Sequence, residues 1–99
     1  MVWYDKLYVS EKASNEKIRS FGHMRKTFSF DAYVIIIPVN GNNMLDILSY
    51  QELTARDYYK DAFIIGIACG QKDAILLVSD IIWDVYSRTG GFNVRQYFE

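Results

Sequence analysis

A single cysteine in the chain excludes an internal disulfide and points to a reducing compartment. With only one histidine beside it, a zinc site built from His and Cys of one chain is excluded as well. No apolar run approaches the roughly 18 residues that a membrane helix needs. The first residues, Met1 to Lys6, lack both a basic n-region and an apolar h-region, so no secretory leader is expected and the cytoplasm is the expected compartment. Net charge is only −1, which leaves no global field to steer nucleic acid or acidic lipid. There is one proline, Pro38, and no repeat, linker or low-complexity tract. No Rossmann fingerprint, nucleophile elbow or metal-binding motif is present.

What the chain does have is apolar and aromatic content. Hydrophobic residues make up 51% of the 99, enough for the core of one domain and far too much for disorder. With eight Tyr and six Phe, some rings must reach the surface.

The stretch from Phe63 to Gly91 organises the rest. Phe63 to Cys69 is apolar on both alternating faces, Phe63, Ile65, Ile67 and Cys69 on one, Ile64, Gly66 and Ala68 on the other. That is the signature of an interior strand covered on both sides. Gly66 lowers the intrinsic stability of such a strand, so close approach of another backbone is its expected role. Gly70 then serves as the N-cap of a helix over 71–88, with Asp73 in its first turn, Arg88 in its last, and Gly90 or Gly91 as the stop. At 100° per residue, Ala74, Leu77, Val78, Ile81, Ile82 and Val85 form the inner stripe, with Ile75 and Tyr86 on its shoulder. Burying such a face is worth on the order of 10–20 kcal/mol before entropy is subtracted.

The outer face carries Leu76, Ser79, Asp80, Trp83 and Ser87. Leu76 and Trp83 are seven residues apart and stack on the side that should be wet. Three covers suit them: water and a loop of the same chain, a second subunit, or a ligand in a groove. Trp is enriched at interface centres, and symmetric dimers are the commonest oligomers. Leu76, Asp80, Trp83 and Ser87 are therefore the candidate interface residues.

Upstream, Val2 to Val9 alternates as a strand, with Trp3, Leu7 and Val9 on one face and Val2, Tyr4, Lys6 and Tyr8 on the other. Ser14 or Asn15 caps an expected helix running to about Lys26, on a thin stripe of Ile18, Phe21, Met24 or Arg25, and Phe28. Gly22 weakens that helix by about 1 kcal/mol. Tyr33 to Val39 is a second sheet-core segment, with Tyr33, Ile35, Ile37 and Val39 opposite Val34 and Ile36; Pro38 ends regular pairing near Ile37. Residues 40–43 make a turn, and Met44 to Leu48 returns as a short antiparallel strand. Ser49 to Glu52 is a capping-box pattern that opens a short helix over about 50–60, with Leu53, Ala55 and Tyr58 or Tyr59 inward. Phe92 to Glu99 suits either an edge strand or one helical turn, with its aromatics docked in both cases.

Four constellations bear on chemistry. Gly66 to Asp73 resembles a phosphate loop in outline, but the loop is too short and no Ser or Thr follows Lys72 to hold magnesium. If the three main strands run parallel, their carboxyl ends share an edge lined by Ser10, Asn40, Asn42, Asn43, Cys69, Gly70, Gln71 and Lys72, which is where open α/β sheets bind ligands or anions. Lys12, Lys17, Arg19, Arg25 and Lys26 against Glu11 and Glu16 make residues 11–26 basic, a nucleic-acid contact of the weaker sort. Cys69 and His23 have no third group to orient them, so no catalytic, metal or cofactor site is assigned.

Trp3 to Val9, Met44 to Ile47, Gly66 to Gly70, Val85-Tyr86 and Thr89 to Arg95 together resemble a family of small uncharacterised Firmicutes proteins, many from gut anaerobes. The resemblance spans nearly the whole chain. It implies a bacterial cytoplasmic protein and carries no activity. The expected fold is a single-domain α/β sandwich: a mixed sheet of three to five strands, two main helices and one short one. The leading expectation for function is a non-catalytic interaction module forming a homodimer. The alternative is a small-ligand or anion sensor at the strand edge, and third comes nucleic-acid contact through the basic segment.

Overall fold

The computed structural model describes residues 2–14, 18–21, 25–28, 31–37, 45–59, 61–91 and 97–98. Its elements in chain order are β1 (Val2–Val9), α1 (Glu11–Ser14), β2 (Ile18–Phe21), β3 (Arg25–Phe28), β4 (Ala32–Ile37), β5 (Asp46–Ser49), α2 (Tyr50–Ala55), a 3-10 turn (Asp57–Tyr59), β6 (Phe63–Cys69) and α3 (Gln71–Thr89).

A four-stranded sheet of order β1-β6-β4-β5 forms the middle layer. β6 lies parallel to β1 and antiparallel to β4, and β5 pairs antiparallel with β4. One face packs under α3, where Ile35, Ile37, Ile65 and Ala68 meet Ala74, Leu77, Ile81 and Val85. The other is covered by α1, α2 and the segment around the 3-10 turn, with Val34, Ile36, Ile64 and Ile67 against Ala13, Leu53 and Ala62. The result is an α/β domain with a mixed sheet, as the strand patterns imply. The alternation within β1 and within residues 33–37 of β4 also falls as the sequence places it. Pro38 and Val39 lie outside the described residues.

β6 departs from simple alternation at one point. Ile35 pairs with Gly66 while Ile36 pairs with Ile64, so Ile65 is the extra residue of a β-bulge. The bulge shifts the phase. Phe63 and Ile65 face α3, as does Ala68, while Ile64, Ile67 and Cys69 face the other layer. Period-2 counting sets Ile65, Ile67 and Cys69 on one face, and the bulge overturns that. A side chain does not register the bulge in its composition; only the pairing with β4 requires it.

What closes on Gly66 is side chain rather than the backbone its position implies. A Cβ there would lie 3.3 Å from both Ile35 Cδ1 and Leu77 Cδ2, so its absence lets α3 settle on the sheet.

The expected helix over about 14–26 is not formed. Residues 18–21 and 25–28 are two antiparallel strands, with Ile18 opposite Phe28 and Phe21 opposite Arg25. The reason is energetic. A short helix with only a thin apolar stripe gains too little packing to offset the cost of nucleation. Aromatic and β-branched residues on either side of a Gly22-containing connection suit a ribbon instead. Among the described residues there is therefore one long helix, α3, where two were expected. Ser14 closes the short α1 rather than opening a helix, and Ser10 caps it, its Oγ accepting the Ala13 N–H at 3.0 Å. The Ser49 cap is formed as the pattern requires, its Oγ accepting the Glu52 N–H at 3.1 Å, but α2 stops at Ala55 and leaves that residue exposed. Tyr97 and Phe98 are helical, and Phe98 is buried against Tyr4 at 4.9 Å between ring centroids, 87° apart.

Gly66→Val is expected to destabilise the fold by about 1–3 kcal/mol, because the added isopropyl group overpacks the space between Ile35 and Leu77. A urea midpoint equal to that of the unsubstituted protein would show that α3 has room to lift.

Candidate functional site

α3 is the element that presents the candidate surface. Gly70, at φ +92°, turns the chain out of β6; its N–H donates to the Asp31 carbonyl at 2.9 Å, and its own carbonyl accepts the Ala74 N–H at 3.1 Å. Gly90, at φ +77°, ends the helix in the left-handed conformation that glycine accommodates, its N–H donating to the Tyr86 carbonyl at 2.7 Å. Between these stops Ala74, Leu77, Ile81 and Val85 are buried, and Val78 and Ile82 half-buried.

Opposite that stripe, Leu76 and Trp83 are 64% and 69% exposed. Asp80 and Ser87 lie exposed beside them, so all four candidate interface residues share the solvent side of α3. Ile75 and Tyr86 join them at 55% and 38% exposure. Helical angle alone assigns these two to the shoulder of the buried stripe. The sheet beneath covers a narrower arc of the helix than the angle allows, so they belong to the outer surface. The Trp83 and Tyr86 rings lie 6.0 Å apart at 42°. The outcome is a run of apolar side chains from Ile75 to Tyr86 along the outside of the longest helix, the kind of contiguous patch that marks contact sites.

The shared strand edge does not assemble as expected. β4 runs antiparallel to β6, with Ile37 opposite Phe63 and Ala32 opposite Cys69. The chain therefore leaves β4 at the end of the sheet far from Gly70. Asn40, Asn42 and Asn43 lie outside the described residues, and the edge that would have joined them to Gly70, Gln71 and Lys72 required a parallel β4.

What meets at the carboxyl ends of β1 and β6 is Ser10 and Asp73. The Asp73 carboxylate accepts the Ser10 Oγ–H and the Cys69 N–H, the latter at 2.8 Å. Ser10 is buried, and its N–H donates to the Ile67 carbonyl at 3.0 Å. This joins the β1–α1 corner to the β6–α3 corner. It also sets a carboxylate in the first turn of α3, where a bound anion would meet like charge. Gln71 and Lys72 are exposed, and Cys69 is half-buried against the second core. Sequence reasoning missed Ser10 as a cap; the signal was a serine directly after a strand and three residues ahead of Ala13, in a segment read as polar connection.

A second link ties β1 to α3. Tyr8 donates its hydroxyl hydrogen to Asp84 at 2.5 Å, and Arg88 donates Nε–H to the other carboxylate oxygen at 3.2 Å. Burial, and then the Asp84 carboxylate, push the Tyr8 hydroxyl above its ordinary value. The hydrogen bond from Tyr8, and then the one from Arg88, hold the Asp84 carboxyl below the usual carboxylate range. Tyr8 also packs edge-on against Phe98, at 6.1 Å and 84°.

Among the described residues no group of three or more His, Cys, Asp or Glu could hold a metal ion, and no helix is long and apolar enough to cross a membrane. No known family, curated protein or solved structure matches the chain.

Asp73→Ala is expected to lower stability by about 1–3 kcal/mol, because it strands the Cys69 N–H and the Ser10 hydroxyl without their acceptor. Asp80→Ala, on the same helix but at its surface, is expected to change it by less than about 0.5 kcal/mol. Equal urea midpoints for the two variants would refute the corner link.

Asp84's depressed value means that its contribution to stability is present at neutral pH and fades as pH falls below about 4, through the folded-state value. Tyr8's raised value means that its contribution holds up to about pH 10 and fades above it. In Tyr8→Phe, carbon-detected titration should show the Asp84 midpoint moved upward, with a loss of about 1 kcal/mol at pH 7. An unmoved midpoint would remove Tyr8 as the cause.

Proposed function

We propose that this chain is a non-catalytic interaction domain and that its partner is a second copy of itself, bound through the outer face of α3. The observation that supports the reading is the exposed run Ile75, Leu76, Trp83 and Tyr86 on one side of a helix whose other side is the core. Aromatic side chains bury about 150–250 Å² each, so a run with this exposure offers on the order of 400–500 Å² of apolar surface. Two such faces bury about 800–1,000 Å² between them, and the rim residues Lys72, Asp80 and Ser87 extend that toward the roughly 1,200 Å² at which specific interfaces begin. A second copy matches this face in size and chemistry without any further component. The reading includes a reducing cytoplasm, for which the unpaired Cys69 is the motivation.

Sedimentation equilibrium at ~100 μM should return about twice the 11.6 kDa of the chain. Trp83→Glu and Leu76→Lys should each shift the mass toward the monomer while leaving the thermal midpoint of the fold within a few degrees. A clean monomer for the unsubstituted protein would end the proposal, as would a dimer that neither variant weakens.

A further inference from the structure

The proposed pairing leaves open how the two copies are oriented. Resting on that reading, we infer that the two α3 helices cross antiparallel, on a two-fold axis that passes beside Ser79.

Ser79 is exposed and small, and it stands at the midpoint of the stripe. Ile75 and Leu76 precede it by four and three residues; Ile82 and Trp83 follow it by three and four. At about 100° per residue it is also midway around the stripe, with Leu76 and Trp83 to one side and the exposed Ile75 and half-buried Ile82 to the other. A two-fold axis perpendicular to the helix at this point reverses chain direction and keeps each side with its own kind. Leu76 of one copy then faces Trp83 of the second, and Ile75 faces Ile82, each matched to within about one helical rise of 1.5 Å. The pattern is self-complementary, as an isologous interface requires. A serine at the crossing lets the helix axes approach to about 8–10 Å, the distance at which side chains interleave.

Charge distinguishes this arrangement from a parallel one. Lys72 lies on the centre line seven residues before Ser79, and Tyr86 seven residues after it. Antiparallel crossing lays each Lys72 ammonium over the Tyr86 ring of the second copy, close to the negative end of that helix, and both contacts are favourable. Parallel crossing sets Lys72 against Lys72 at two positive helix ends. Asp80 stands on the same rim in both antiparallel copies, but at helix-packing distance the two carboxylates are about a Debye length apart and salt screens them.

The test uses the full chain with Cys69→Ala, or Cys69→Ser should the first not fold, which removes the only native thiol. Single substitutions Ser79→Cys and Tyr86→Cys are oxidised mildly and followed on non-reducing gels, with the mass of each variant measured under reducing conditions. Ser79→Cys is expected to form a covalent dimer at least about tenfold faster than Tyr86→Cys. Rapid self-linking of Tyr86→Cys overturns the inference in favour of parallel helices. Slow linking of Ser79→Cys in a protein that is dimeric by mass overturns the inference, and the masses of Trp83→Glu and Leu76→Lys then decide whether α3 is the pairing face. A monomeric mass overturns both.

Discussion

β6 has no polar side chain along its length and lies between β1 and β4, so both of its faces have to be removed from water. That requirement dictates the layers. α3 closes one face because it follows β6 after a single glycine, while α1 and α2 close the other. Ile64, Ile65 and Ile67 are all fully buried, and excluding water from them stabilises the fold. Gly66 belongs to the same requirement, since a Cβ at that point would crowd the Ile35 and Leu77 side chains at 3.3 Å.

Two polar links orient the layers that hydrophobic contact brings together. Apolar burial is non-directional and does not by itself choose how α3 lies along the sheet. Asp73 pins its first turn to Ser10 and Cys69, and Asp84 pins its later turns to Tyr8. Both links join α3 to β1 or its corner, the edge strand, and so hold the outer layer to the sheet at two separate heights along the helix. With its inner side committed in this way, α3 has only one side left to offer, and that side carries Ile75, Leu76, Trp83 and Tyr86 where an ordinary surface helix is polar. The proposed pairing follows from this mismatch between position and composition.

The chain's local patterns carried much of the fold. The limits of β6, the limits of α3 to within a residue, both glycine stops and the Ser49 cap follow from periodicity and capping chemistry within a few residues. So did the outward position of Leu76, Asp80, Trp83 and Ser87, since a helix of known phase with one buried side leaves no other place for them. The segment 18–28 was misread because its apolar spacing fits a thin helical stripe and a short ribbon equally well, and the choice between them lies in the pairing of 18–21 with 25–28. The ligand edge failed for a related reason. It joined residues after β4 to residues after β6 on the premise that the strands run the same way.

Sequence alone determined which segments are strand or helix wherever the pattern is long and both ends are marked, because those signals act over one or two turns of chain. Tertiary structure alone decided the direction of β4, the bulge at Ile65 and the meeting of Ser10 with Asp73. Each of these is a contact between residues more than 20 positions apart in the chain. Nothing in the local pattern of either partner specifies the other, and only the shared need to fill one core and satisfy its buried polar groups selects the match.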